Sequence, residues 1–182
     1  MLNNIIKEVL VPEEEIAEIV SRVADEINRD YSGEDKKLVI VCVLKGSVMF
    51  TADLAKKISV PLEMEFVRVS SYGNSTESSG NINVMLDFNR DDAGDCDFLV
   101  IEDIVDSGNT LAYLTEHIKA KGAKSVKCCT LLDKPSRRKV EFTPDYVGKV
   151  IPDKFVFGYG LDLFEKYRDL PFVAVVNPDY IK

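Results

Sequence analysis

Two adjacent carboxylates, Glu102 and Asp103, follow the apolar run Phe98-Leu-Val-Ile101. After Ile104 and Val105 comes Asp106-Ser107-Gly108-Asn109-Thr110. The apolar run reads as a buried strand, and the small-residue run turns the chain into a helical pattern starting near Leu111. Free backbone N–H groups in such a turn, with the Ser107 and Thr110 hydroxyls, suit a phosphate monoester. Carboxylates at the strand end suit sugar hydroxyls and a hard cation. Capping of the helix by Asp106 and Ser107 fits the same residues. Capping alone leaves the Glu102–Asp103 pair unexplained.

Other groups capable of chemistry stand at comparable places. Lys45-Gly46-Ser47 follows the β-branched run Leu38–Leu44 and precedes a helical pattern over Val48–Ile58. By residue chemistry this is a βα loop with a solvated Lys45, Gly46 supplying an unusual backbone angle. Lys134 follows a strand pattern over Ser125–Leu132 and suits a solvent-facing cation. Phe155, Phe157 and Tyr159 alternate, so one strand face is aromatic. Asp162 and Arg168 read as loop charges, and Arg137, Arg138 and Lys139 as a solvated basic turn. His117 is the only histidine. It falls in the helix after Thr110, more than a turn from the loop, which argues against a His-based triad or a zinc site. Gly158-Tyr-Gly160 lacks the third glycine of a dinucleotide fingerprint and opens no helix.

The elements that position these groups alternate. Pro12 and Glu13–Glu15 start a helix, with Ile16, Ile19, Val20, Val23, Ala24 and Ile27 at helical spacing. Leu62–Val69 and Ile82–Leu86 read as strands. Between them Ser70–Gly80 is polar and aperiodic, either a hairpin connection or a lid that excludes water. Leu111, Leu114 and Ile118 form a stripe closed by Lys119, Lys121 and Gly122. Val147–Ile151 and Phe172–Val176 are the last strand patterns. Alternating strands and helices imply an α/β fold with a mostly parallel twisted sheet flanked by helices and right-handed crossovers. Ligands of such sheets bind beyond the strands' carboxyl ends, which places Lys45, Glu102, Asp106 and Lys134 along one rim.

A chain of 182 residues with 46% hydrophobic and 30% charged residues suits one domain with a real core. The net charge of -8 and pI near 4.8 argue against a nucleic-acid surface. Local dipoles or a metal ion still permit a small anionic ligand. No apolar run reaches membrane-spanning length. Cys42, Cys96, Cys128 and Cys129 show no metal-ligand spacing and read as reduced thiols, so a cytoplasmic protein is expected.

The Glu102–Thr110 stretch resembles the phosphoribosyl-pyrophosphate motif of the type I phosphoribosyltransferases, most closely their hypoxanthine-guanine branch. The resemblance extends from about Val39 to Arg168. It implies a single domain over residues 1–182, with a core of roughly 12–140 and a hood over the base from the N-terminal end and roughly 145–182. It further implies Mg²⁺-dependent transfer of phosphoribosyl from 5-phosphoribosyl 1-pyrophosphate to hypoxanthine or guanine. Glu102, Asp103, Asp106, Ser107, Gly108, Asn109 and Thr110 would then hold the phosphoribosyl group, with Asp106 as general base. Lys45, Gly46, Ser71, Tyr72 and Arg168 would meet the diphosphate. Lys134, Phe155, Val156 and Asp162 would meet the purine, and Glu102, Asp103 and Asp162 the metal. Relatives form dimers or tetramers, and no nucleic acid or membrane partner is implied. A non-catalytic sensor of the donor, a pyrimidine transferase and a plain nucleotide-binding module are the rivals. Asp106 weighs against the first, and Lys134 with Phe155-Val156 against the second.

Overall fold

A computed structural model describes residues 2–33, 36–71 and 82–180. The chain opens with β1 (Ile6–Val11) and α1 (Glu13–Asp30), continues through β2 (Leu38–Val43), α2 (Val48–Lys57), β3 (Leu62–Ser71) and β4 (Ile82–Leu86), and reaches β5 (Asp97–Val105) and α3 (Asn109–Ala120). It ends with β6 (Ser125–Asp133), β7 (Tyr146–Val150), β8 (Val156–Phe157) and β9 (Val173–Val176). Pro12 stands at the N-cap of α1 with extended backbone, and Glu13–Glu15 occupy its first turn. The six apolar residues of its stripe are all buried.

A six-stranded sheet runs in the order β4-β3-β2-β5-β6-β7. All its pairs are parallel except β3–β4. Every residue of β2 is buried. Leu38 and Ile40 pack with Ile27, Phe50 and Leu54 beneath α1 and α2. Val39, Val41 and Val43 pack with Leu111, Leu114 and Ile118 beneath α3. Helices on both faces explain why this strand reads as an unbroken apolar run.

The strand order reverses between β2 and β5. The chain leaves β2 toward β3 on one side and leaves β5 toward β6 on the other. Such a switch point opens a crevice between the two departing loops, here residues 44–47 and 106–108.

A second sheet, β1-β9-β8, is antiparallel throughout. Val173 and Val175 join the main core, whereas Ala174 and Val176 pack with Ile5, Phe157 and Leu163. This is the hood. Its boundary differs from the expected one near 145: β7 pairs with β6 in the main sheet, so the hood's second half begins after Val150. β5 also runs further than the apolar run suggested. Glu102 and Ile104 stay in register with Thr130 and Leu132, so the acidic pair lies within the strand's last turn of pleat rather than after it. Among the described residues no helix is long and apolar enough to cross a membrane.

Candidate active site

The crevice at the switch point is built by close approach of three segments. The peptide between Leu44 and Lys45 is cis. Gly46 does not adopt a positive φ, contrary to the unusual backbone angle expected of it. It is needed for space: a methyl group there would stand 1.7 Å from Asp103 Oδ2. A methyl at Gly160 would stand 1.9 Å from the Gly46 carbonyl oxygen. The 158–168 segment therefore lies on the 44–47 loop, which lies on the acidic pair.

Glu102 is only 8% exposed. Burial pushes its carboxyl well above the usual carboxylate range, and the adjacent Asp103 charge adds to the effect. Burial raises Asp103 as well. The Asp103 N–H donates to Glu102 Oε1 at 3.2 Å, and the Ile104 N–H to Asp103 Oδ1 at 2.7 Å. Two adjacent carboxyl groups, both raised by burial, form a hard-oxygen donor set. A small divalent cation held by one or two carboxylates, with ligand oxygens and water completing its shell, fits that set. Among the described residues no group of three or more His, Cys, Asp or Glu side chains is placed to hold a metal ion. Asp162, expected beside the cation, is 3.0 Å from Arg168 Nη2 and accepts the Glu165 N–H at 2.9 Å.

After β5 the chain turns through Asp106-Ser107-Gly108 into α3. Gly108, at the N-cap, has φ +85°. A methyl there would both strain the backbone and stand 2.8 Å from Arg138 Cδ. Asn109 and Thr110 form the first turn, and Ser107 Oγ accepts the Asn109 N–H at 3.3 Å. Glu102, Val105–Gly108 and Thr110 line a cavity of about 90 Å³ at this turn. The first helical N–H groups lack intrahelical partners, so the cavity suits an anion.

The basic turn departs from expectation at Arg138. Arg138 donates to the Asp106 carbonyl at 2.7 Å and the Phe142 carbonyl at 3.1 Å, and pairs with Asp133. The Lys139 N–H donates to the Ser107 carbonyl at 2.9 Å. Arg137 Nε lies 3.0 Å from Asp106 Oδ1, and its Nη1 lies 3.4 Å from Asp153. The Arg137 and Lys139 side chains stay exposed, as expected, whereas Arg138 clasps the loop after β5. The adjacency of β5 and β6 is what brings it there, and only the pairing of their carboxyl ends could have signalled it.

Lys134 is 7% exposed, not the solvated cation its residue type suggests. Its Nζ lies 3.9 Å from Asp153 Oδ1, so Lys134, Asp153, Arg137 and Asp106 form one chain of charges. Phe155 is 58% exposed at the edge of the hood. Val156, in β8, is buried and paired with Val175. Arg168 donates to the Gly160 carbonyl at 2.8 Å. Lys45 Nζ lies 2.6 Å from Glu165 Oε2, a contact that lowers the Glu165 pKa. Sequence reasoning passed over Glu165. Ser71 ends β3. Tyr72 and the rest of the expected lid, through residue 80, lie outside the described residues. His117 pairs with Asp87 at 2.8 Å and stacks on Tyr113, apart from the crevice.

A turn suited to an anion and a buried acidic pair at the switch point of a mostly parallel sheet are compatible with phosphoribosyl transfer. The family model described as "Phosphoribosyl transferase domain" matches residues 9–163, and the chain belongs to this family. It is 48% identical over 178 residues to the hypoxanthine-guanine phosphoribosyltransferase of Bacillus subtilis, covering 98% of this chain and 97% of that protein. It is also 48% identical to the bifunctional protein TilS/HprT of Listeria monocytogenes, where it covers 98% of its own length but spans only 27% of the relative. The crystal structure of a hypoxanthine phosphoribosyltransferase from Staphylococcus aureus superposes with a TM-score of 0.93 at 43% identity, covering 100% of this chain and 97% of the other.

Proposed function

We propose that this chain is a purine-salvage enzyme that transfers the phosphoribosyl group of 5-phosphoribosyl 1-pyrophosphate to hypoxanthine or guanine, giving the nucleotide and pyrophosphate. The observation that carries this reading is the convergence on one crevice of the Asp106–Thr110 turn, the Lys45–Gly46 loop and the buried Lys134. The likeness to hypoxanthine-guanine phosphoribosyltransferases supports the choice of purine.

The 5′-phosphate sits on the Ser107–Thr110 turn, held by backbone N–H groups and the two hydroxyls. Glu102 and Asp103 face the ribose hydroxyls, and they are the residues that would hold Mg²⁺, which when bound supplies positive charge to the departing diphosphate. Lys45 and Arg168 meet that diphosphate from the opposite side. Lys134 donates to the purine's exocyclic oxygen. The exposed ring of Phe155 stacks on the heterocycle, and the Val156 backbone meets its edge. As the diphosphate leaves, positive charge develops on the ribose and the purine nitrogen attacks. Asp106 accepts the proton that the purine gives up. Ser71 and Tyr72 belong to the segment that shields the activated carbon from water.

An assay of pyrophosphate release with the donor, Mg²⁺ and each base in turn tests the proposal. Release with hypoxanthine, guanine or both, and none with uracil or orotate, is the expected result. Release with a pyrimidine alone, or with no base at all, overturns it.

A further inference from the structure

Glu165 occupies a place its residue type does not favour. Leu163 and Lys166 exchange backbone hydrogen bonds of 3.0 and 3.2 Å, closing a two-residue turn around Phe164 and Glu165. Both central residues have positive φ, +54° and +63°. Turns of this kind prefer Asn-Gly, because most side chains are strained at both positions. Neither side chain is compensated by burial: Phe164 is exposed, and so is Glu165. What the Glu165 side chain gains instead is charge pairing. Its Oε2 lies 2.6 Å from Lys45 Nζ, and its Oε1 lies 3.4 Å from Arg168 Nη2. Each carboxylate oxygen thus faces one of the two cations assigned above to the diphosphate, and Arg168 is shared with the nearer Asp162 Oδ1 at 3.0 Å. The close stacking of Gly160 on Gly46 holds the turn at that distance.

We infer that Glu165 is a built-in competitor for the diphosphate subsite: its carboxylate holds Lys45 and Arg168 when the subsite is free, yields them to the substrate's diphosphate, and takes them back as pyrophosphate leaves. The residue thereby sets how tightly donor and product diphosphate are held, without touching the reacting carbon. The inference rests on the proposed assignment of Lys45 and Arg168 to the diphosphate.

Titration calorimetry with inorganic pyrophosphate and magnesium chloride, at fixed ionic strength, tests it. Glu165→Gln keeps the shape and removes the charge; Glu165→Gly removes the charge and relaxes the turn. Both are expected to bind pyrophosphate roughly two- to five-fold more tightly than the parent, the range spanned by exposed ion pairs. The KM for the donor should fall in step, with the KM for the purine unchanged. The gain should vanish in a Lys45→Ala background. Affinity that is unchanged or weaker in Glu165→Gln, with pyrophosphate binding to the parent intact, overturns the role of Glu165. Pyrophosphate affinity unaffected by Lys45→Ala and Arg168→Ala overturns the underlying diphosphate assignment instead.

Discussion

Arg137 Nε stands 3.0 Å from Asp106 Oδ1, so the carboxylate assigned to proton transfer is engaged by a cation from the loop after the neighbouring strand. Both side chains are substantially exposed, so solvent screening leaves the pair little weight in stability. Its weight is positional, since it fixes where the carboxylate lies relative to Lys134. Asp106→Asn keeps the shape of the loop and loses the proton acceptor. Turnover should drop by roughly 10²–10⁴-fold, while donor binding, which depends on the loop's amides, changes little. Steady-state kinetics with both substrates varied will separate the two parameters. Unchanged turnover removes Asp106 from this role.

Gly46→Ala should disable the crevice. The added methyl would lie 1.7 Å from Asp103 Oδ2, so either the acidic pair or the 44–47 loop must shift. Forcing an extra carbon into a packed site costs about 1–3 kcal/mol. The larger expected effect is on the donor, whose KM should rise while the KM for the purine holds. A variant with parental donor KM would show that the loop and Asp103 can separate freely.

Arg138→Ala should destabilise the fold as well as the site. It removes the partner of Asp133, which is buried at the end of β6, and two bonds to backbone carbonyls. Stranding a buried carboxylate costs about 3 kcal/mol. Urea unfolding will measure this. Adding Asp133→Leu to the variant should recover much of the stability but not the activity, because the Asp106 loop stays unbraced.

At the other end of the sheet Arg90 bridges Glu63, Glu65 and Asp92, and Lys37 also pairs with Asp92. Arg90 first, and Lys37 with it, hold the Asp92 carboxyl below the usual value of 3.8. A carboxylate lowered in this way stabilises the folded chain above its unfolded pKa, and the contribution is lost as pH falls through the folded one. Asp92→Asn should therefore lower the thermal midpoint at pH 7, with the gap from the parent closing below about pH 4. A gap independent of pH would show that packing, not charge, links these residues.

The elements that carry the site were readable because their patterns are local. Phe98–Ile101 and Leu38–Val43 are unbroken apolar runs, as strands covered on both faces must be. The small residues after each announce a turn into a helix. Arg137, Arg138 and Glu165 were not readable, because nothing adjacent in sequence marks them. Arg138 acquires its role from β5 lying beside β6, and Glu165 from Gly160 lying on Gly46. Lys134 misled for the same reason: lysine is usually solvated, and this one is buried at the end of β6, with its backbone N–H on the Val105 carbonyl of β5. The hood range that the resemblance implies, from roughly 145, takes in Tyr146–Val150, but this strand pairs with β6.

The pairing of β1 with β9 joins an early strand to a late one, with Ile6 opposite Val176. During synthesis, β1 emerges long before its neighbour exists. At about 5–20 residues per second, roughly ten to thirty seconds separate the two. The six-stranded sheet has all its strands by Val150, so the crevice floor can form on the ribosome while its roof is still untranslated. A nascent chain stalled before Val173 would present Lys134 and Asp106 without the β1-β9-β8 layer.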